Sequence, residues 1–128
     1  MNDKGRILVI ENDAPSVMML VNALTQAGCD VQAAFTGAKG KELAQENKFD
    51  LIVLSLALPD RSGFEICGEL KQRHLTHNTP IVFISRHATI EDQQRALELG
   101  AVDFIEIPFS SGDFVSRVLS HMKETSQT

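Results

Sequence analysis

The stretch that most constrains this chain is Leu51-Ile-Val-Leu-Ser55, entered at Asp50 and left through Leu56-Ala-Leu-Pro-Asp-Arg-Ser-Gly63. An unbroken Ile, Val and Leu run has no polar alternation, so it predicts a strand buried on both faces, at the centre of a parallel sheet. Ligands in open α/β sheets sit beyond the carboxyl ends of the strands. Ser55 is therefore what this strand offers to a site, and it is an uncharged hydroxyl.

The flanking sequence alternates between two periods. Arg6-Ile-Leu-Val-Ile10 is a short apolar run that stops at Glu11-Asn12-Asp13, as a buried strand does when it emerges at the edge of a sheet. Asp13 is a good helix N-cap with Pro15 in the first turn; Val17, Leu20, Val21 and Leu24 follow at helical spacing until Gly28 ends the helix. A weaker strand signal covers 29–34. Thr36 caps a helix running to Asn47, whose apolar face is read as Ala38, Leu43 and Ala44. That helix is expected to be the least secure element, because Gly37 and Gly40 each disfavour it by up to about 1 kcal/mol.

Beyond the central strand, Ser62-Gly-Phe-Glu65 has the form of a capping box, with Phe64, Cys67 and Leu70 on the buried face of the third helix. His74 to Thr79 is polar and predicts a loop. Pro80 to Ser85 predicts the fourth strand, Thr89 opens a fourth helix (α4) that Gly100 closes, and 101–105 predicts the fifth strand (β5). Ser110 opens a fifth helix (α5) with Phe114, Val118, Leu119 and Met122 inward. Residues 124–128 are polar and have nothing to bury. Five strands alternating with five helices specify an α/β fold, a doubly wound parallel sheet with helices on both faces.

Size and charge narrow the function. A chain of 128 residues fits one domain that can build a two-sided core without metal or disulfide support. With 12 Lys and Arg against 17 Asp and Glu, the formal charge of -5 argues against nucleic acid or anionic lipid as a partner. Cys29 and Cys67 match neither a zinc site nor a disulfide framework, so both are read as buried apolar groups in a reducing compartment. The N-terminus leads into four apolar residues, too few for a signal peptide, and no stretch approaches the roughly 18 apolar residues of a membrane span. A cytoplasmic location is expected. No Gly-rich phosphate-binding loop follows a strand, so an enzyme is not expected.

Ile7-Leu-Val-Ile-Glu-Asn-Asp13, Asp50 to Ser55, Leu58-Pro-Asp-Arg-Ser-Gly-Phe-Glu65, Pro80 to Ser85, Gly100-Ala-Val-Asp-Phe-Ile105 and Pro108-Phe109 together, in this order and spacing, resemble the receiver domains of bacterial two-component response regulators. The resemblance implies a single flavodoxin-like (βα)5 sheet of strand order 2-1-3-4-5 over residues 1–123, with 124–128 a polar tail and possible linker to an output domain. In that family an aspartate ending the third strand takes a phosphoryl group, two acidic residues after the first strand hold Mg2+, a Ser or Thr ends the fourth, and a Lys precedes the Pro after the fifth. Carried onto this sequence, these positions hold Ser55, Glu11 with Asn12, Ser85, and Ile107. Ser85 and the lengthened Glu11 are what remains of the set.

The resemblance thus implies a pseudo-receiver: an interaction module for a histidine kinase, another regulator or an output domain, working without phosphorylation through the α4-β5-α5 face. Ser85 and Phe104 stand at the positions that move together in the family's switch. The alternative is a ligand- or anion-responsive domain using the vestigial pocket, with Ser85 and Arg86 as its polar groups. Arg86 stands where the family commonly has a small residue, either solvated or covering the pocket, and His87 follows it. Glu11 and Asp13 are the residual carboxylates for a metal, but a capping aspartate and a solvated rim carboxylate account for them, so no metal and no cofactor is expected. Ser55 is expected to bond local backbone. His74, His77, His87 and His121 show no ligand spacing and are read as surface residues.

Overall fold

The computed structural model describes residues 4–126. Ten elements alternate: β1 (Arg6–Ile10), α1 (Ala14–Gln26), β2 (Asp30–Ala34), α2 (Gly37–Glu46), β3 (Leu51–Ser55), α3 (Gly63–Lys71), β4 (Ile81–Ser85), α4 (Ile90–Glu98), β5 (Asp103–Glu106) and α5 (Ser111–Ser126). The strands form one parallel sheet in the order β2-β1-β3-β4-β5. The expected fold and strand order are therefore observed. Every residue of β3 is buried, as its unbroken apolar sequence requires.

The pleat sorts the core into two layers. Leu8, Ile10, Ile52, Leu54, Ile81 and Phe83 face one side, where Leu43, Phe64, Cys67, Leu70 and Ala96 of α2, α3 and α4 cover them. Ile7, Val9, Leu51, Val53, Val82 and Ile84 face the other, against Leu20 and Leu24 of α1 and Phe114, Val118 and Met122 of α5. Both cysteines are buried, and burial pushes both thiols up.

The helices start at the expected caps. Asp13 accepts from the Ser16 amide, Thr36 from Lys39 and Thr89 from Asp92. At α3 the Ser62 hydroxyl accepts from the Phe64 amide while Glu65 Oε1 accepts from the Ser62 amide, completing the capping box.

Three local expectations are corrected. Ala38 is exposed, and the buried face of α2 is Gly37, Gly40, Leu43 and Ala44. A Cβ at Gly40 would come within 2.5 Å of Ile10 Cδ1, so this glycine lets α2 lie close on β1, an approach that helix propensity does not register. β5 begins two residues later than 101, because the Ala101 amide bonds back to the Ala96 carbonyl and the chain is still closing α4. His121 is not a free surface residue: its Nε2 lies 3.0 Å from Asp103 Oδ2. α5 continues to Ser126, through the first residues of the expected polar tail; residues 127 and 128 of that tail lie outside the described residues.

Candidate functional site

The strand order brings the sequence-derived positions to one edge. Ile10 pairs with Leu54, Ser55 with Ile84 and Ser85 with Glu106, so the ends of β1, β3, β4 and β5 stand side by side. Glu11 leaves β1 with its amide bonded to the Ala34 carbonyl, and the Ile107 amide bonds the Ser85 carbonyl at 2.8 Å. Glu11 is 4% exposed, Ser55 6% and Ile107 6%; Glu11 is thus a buried carboxylate and not the solvated rim group expected, because its backbone is still held by β2 through the Ala34 carbonyl. Asn12 is exposed.

The side chains of Glu11, Ser55 and Ser85 each have a local backbone partner. Glu11 Oε1 accepts from the Asn12 amide at 3.0 Å. The Ser55 hydroxyl donates to the Ala57 carbonyl at 3.2 Å, a backbone partner two residues on. Ser85 Oγ accepts from the His87 amide at 3.2 Å. Ile107 belongs to the apolar layer of Ile84, Ile105 and Phe114.

Arg86 and Asp13 meet across the edge. Arg86 Nη2 donates to Asp13 Oδ2 at 3.1 Å and to Ser16 Oγ at 2.5 Å. Hydrogen bonds from the Ser16 hydroxyl and amide, then the nearby Arg86 charge, hold the Asp13 carboxyl below the usual carboxylate range. Phe104 is part-buried and stacks on Phe83, ring centroids 6.0 Å apart, and Phe83 in turn meets Phe64 at 5.6 Å.

The loop leaving β3 is held from two sides. Asp60 accepts from the amides of Gly37 and Ala38 at 2.8 and 2.9 Å, supplying a carboxylate to the first turn of α2, and these bonds hold its carboxyl below the usual range. Arg61 forks onto both carboxylate oxygens of Glu69 on α3, and Lys41 of α2 meets Glu69 Oε1. Arg61, then Lys41, bring the Glu69 carboxyl down to about 2. A Cβ at Gly63 would stand 2.3 Å from the Ser55 carbonyl oxygen, so this glycine lets the start of α3 close against the end of β3.

This arrangement can be set beside known proteins. The family model described as response regulator receiver domain matches residues 7–119. The chain belongs to that family. It is 36% identical over 121 residues to the DNA-binding dual master transcriptional regulator RpaA of Synechocystis sp., a match covering 94% of this chain and 50% of that protein. To the transcriptional activator protein IrlR of Burkholderia pseudomallei it is 32% identical over 118 residues, covering 92% and 50%. The receiver thus spans about half the length of these curated relatives. The response regulator receiver domain protein (CheY-like) from Methanospirillum hungatei superposes with a TM-score of 0.90 at 22% identity, covering 95% of this chain and 96% of that one, a likeness of fold.

In this receiver the charges away from the strand ends were less visible in the sequence. Ser16 was missed, although its place three residues after Asp13 is the spacing of a capping pair. Asp60 was missed because its partners lie 22 and 23 residues earlier. Asp103 of β5 holds Arg117 and His121 of α5. Burial alone would raise its carboxyl, but the bonds from Arg117 and His121 outweigh burial and leave it below the usual range. Among the described residues no group of three or more His, Cys, Asp or Glu side chains is placed to hold a metal ion, and no helix is long and apolar enough to cross a membrane.

Proposed function

We propose that this receiver works without phosphorylation, as a regulatory interaction module and not as an enzyme. The observation that carries the reading is the buried pair Ser55 and Ile107 at the ends of β3 and β5. A serine hydroxyl near its ordinary pKa is a poor nucleophile without an adjacent base, and this one donates to the Ala57 carbonyl. Mg2+ favours carboxylates with water and phosphate oxygens. The donors at the family's positions are the Glu11 carboxylate, the Asn12 amide and the Ser55 hydroxyl, a set too poor in anionic oxygen to fit that ion. Ile107 matches the same neutral site, since an ammonium there would be desolvated without a partner.

The partner is a protein: a histidine kinase, another regulator or an output domain, met at α4-β5-α5 in the cytoplasm. Ile90 (74% exposed) and Leu97 (56%) stand two turns apart on α4, with exposed Val102 at its exit, and an exposed apolar group of this kind supports docking on that face. The net charge of -5 supports a protein over nucleic acid. The second reading, an anion or small ligand at Ser85 and Arg86, has less support because the guanidinium is engaged by Asp13 and Ser16.

Acetyl phosphate with Mg2+ is the test, read by intact mass. No adduct is expected. A stoichiometric acid-stable adduct at Ser55, or a hydroxylamine-sensitive one at Glu11 or Asp13, overturns the reading. Melting curves with beryllofluoride and with a small-anion panel separate the two readings: no shift with either supports the interaction module, and a saturable shift with one anion supports the ligand site.

A further inference from the structure

Arg86 is the first residue after β4, whereas Asp13 and Ser16 open α1, directly after β1. β3 lies between those two strands, so the contact joins loops that the sheet does not pair. Its protons have one consistent arrangement. A hydroxyl donates once and accepts twice. The Ser16 hydroxyl donates to Asp13 Oδ2 at 2.6 Å and accepts from Arg86 Nη2 at 2.5 Å, while Arg86 also donates to Asp13 Oδ2 at 3.1 Å. Ser16 is buried, so the guanidinium is anchored on a fixed oxygen and not only on a rim charge. Charged donors and acceptors make this the stronger class of hydrogen bond.

The tether is short on the other side. Arg86 is separated from Thr89, the N-cap of α4, by His87 and Ala88, and the His87 amide is itself bonded to Ser85 Oγ. Fixing Arg86 therefore fixes the start of α4, the helix that carries exposed Ile90 and Leu97. We propose that the Arg86–Asp13–Ser16 tie is a built-in latch that sets the position of the β4–α4 loop and the first turn of α4 from α1. In this receiver the state of α4 is governed by making and breaking that tie, an inference that rests on the phosphorylation-independent reading above.

Amide exchange on the full chain tests it, comparing the parent with Arg86→Ala, Asp13→Asn and the double variant. Asparagine keeps the N-cap of α1 while removing the charge, and melting curves confirm that each variant folds. Loss of the tie is expected to speed exchange at His87 to Gln93 roughly five- to tenfold, the scale of a charged hydrogen bond at a part-exposed pair, with the Gly63 and Glu65 amides unchanged. The double variant should match Arg86→Ala, because Asp13→Asn acts on this loop only through its bond to Arg86, which Arg86→Ala already removes together with the bond to Ser16. Unchanged exchange at His87 to Gln93, additive effects, or an equal rise in the β3–α3 loop would each overturn the latch. A phosphoryl adduct on the parent would instead overturn the reading beneath it, whatever the exchange rates show.

Discussion

Two neighbouring regions of this receiver treat charge in opposite ways. At the ends of β3 and β5 the side chains are neutral and buried: Ser55 bonds backbone and Ile107 joins the apolar layer. A few residues on, the β3–α3 loop carries Asp60 and Arg61, and with Lys41 and Glu69 they clamp the loop to α2 and α3. The difference follows from solvent. Every carboxylate of the clamp has a partner and remains partly exposed, so its desolvation is slight, whereas a further charge at the ends of β3 and β5, beside the already buried Glu11, would be almost fully desolvated with no counter-charge opposite. A site of this kind is stable with all its charges or with few of them.

The sharpest way to break that comparison is to restore the charges one at a time. Ser55→Asp should lower stability by about 3 kcal/mol at pH 8, since it buries a carboxylate beside Glu11 with no ammonium opposite. Its folded pKa is expected to be raised, so the loss grows as pH climbs from the unfolded value of about 3.9 to the folded one and then levels off. Adding Asn12→Asp should deepen the loss without metal while creating affinity for Mg2+, and Ile107→Lys should then recover stability. Melting curves of the series with and without Mg2+ decide this. If Ser55→Asp melts with the parent and Mg2+ stabilises no variant, these residues do not share a pocket.

Gly63→Ala tests the seam between the two regions. Its Cβ would meet backbone, the Ser55 carbonyl, and not a flexible side chain, so about 2 kcal/mol of destabilisation is expected. Chemical denaturation with an unchanged midpoint would show that β3 and α3 can part without strain.

The smallest effect belongs to the clamp. Glu69→Gln removes the negative charge shared by Arg61 and Lys41 and leaves one acceptor oxygen in place of two, and a modest drop in melting temperature is expected at neutral pH and low salt. Because the folded pKa of Glu69 is depressed to about 2, its contribution is complete above the ordinary carboxylate value and is lost as pH falls toward 2. Parent and variant should therefore converge between about pH 4.5 and 2. A gap that persists in acid would assign the effect to packing.

The sequence by itself determined the alternation of elements, the helix caps and the burial of β3, because periodicity, capping chemistry and apolar runs act within a few residues of one another. It also placed Glu11, Asn12, Ser55 and Ser85 at strand ends, since each closes or follows an apolar run, whereas Ile107 was singled out only by the resemblance to the family. The tertiary structure alone decided which charges meet: Arg86 with Asp13 and Ser16 over 73 and 70 residues, Asp60 with the amides of α2, and Asp103 with His121. It also decided that Gly40 is a packing residue, because Ile10 lies against it. Ion pairs and close backbone approaches between distant segments depend on distances that arise when the strands take the order 2-1-3-4-5, and local spacing carries no record of them.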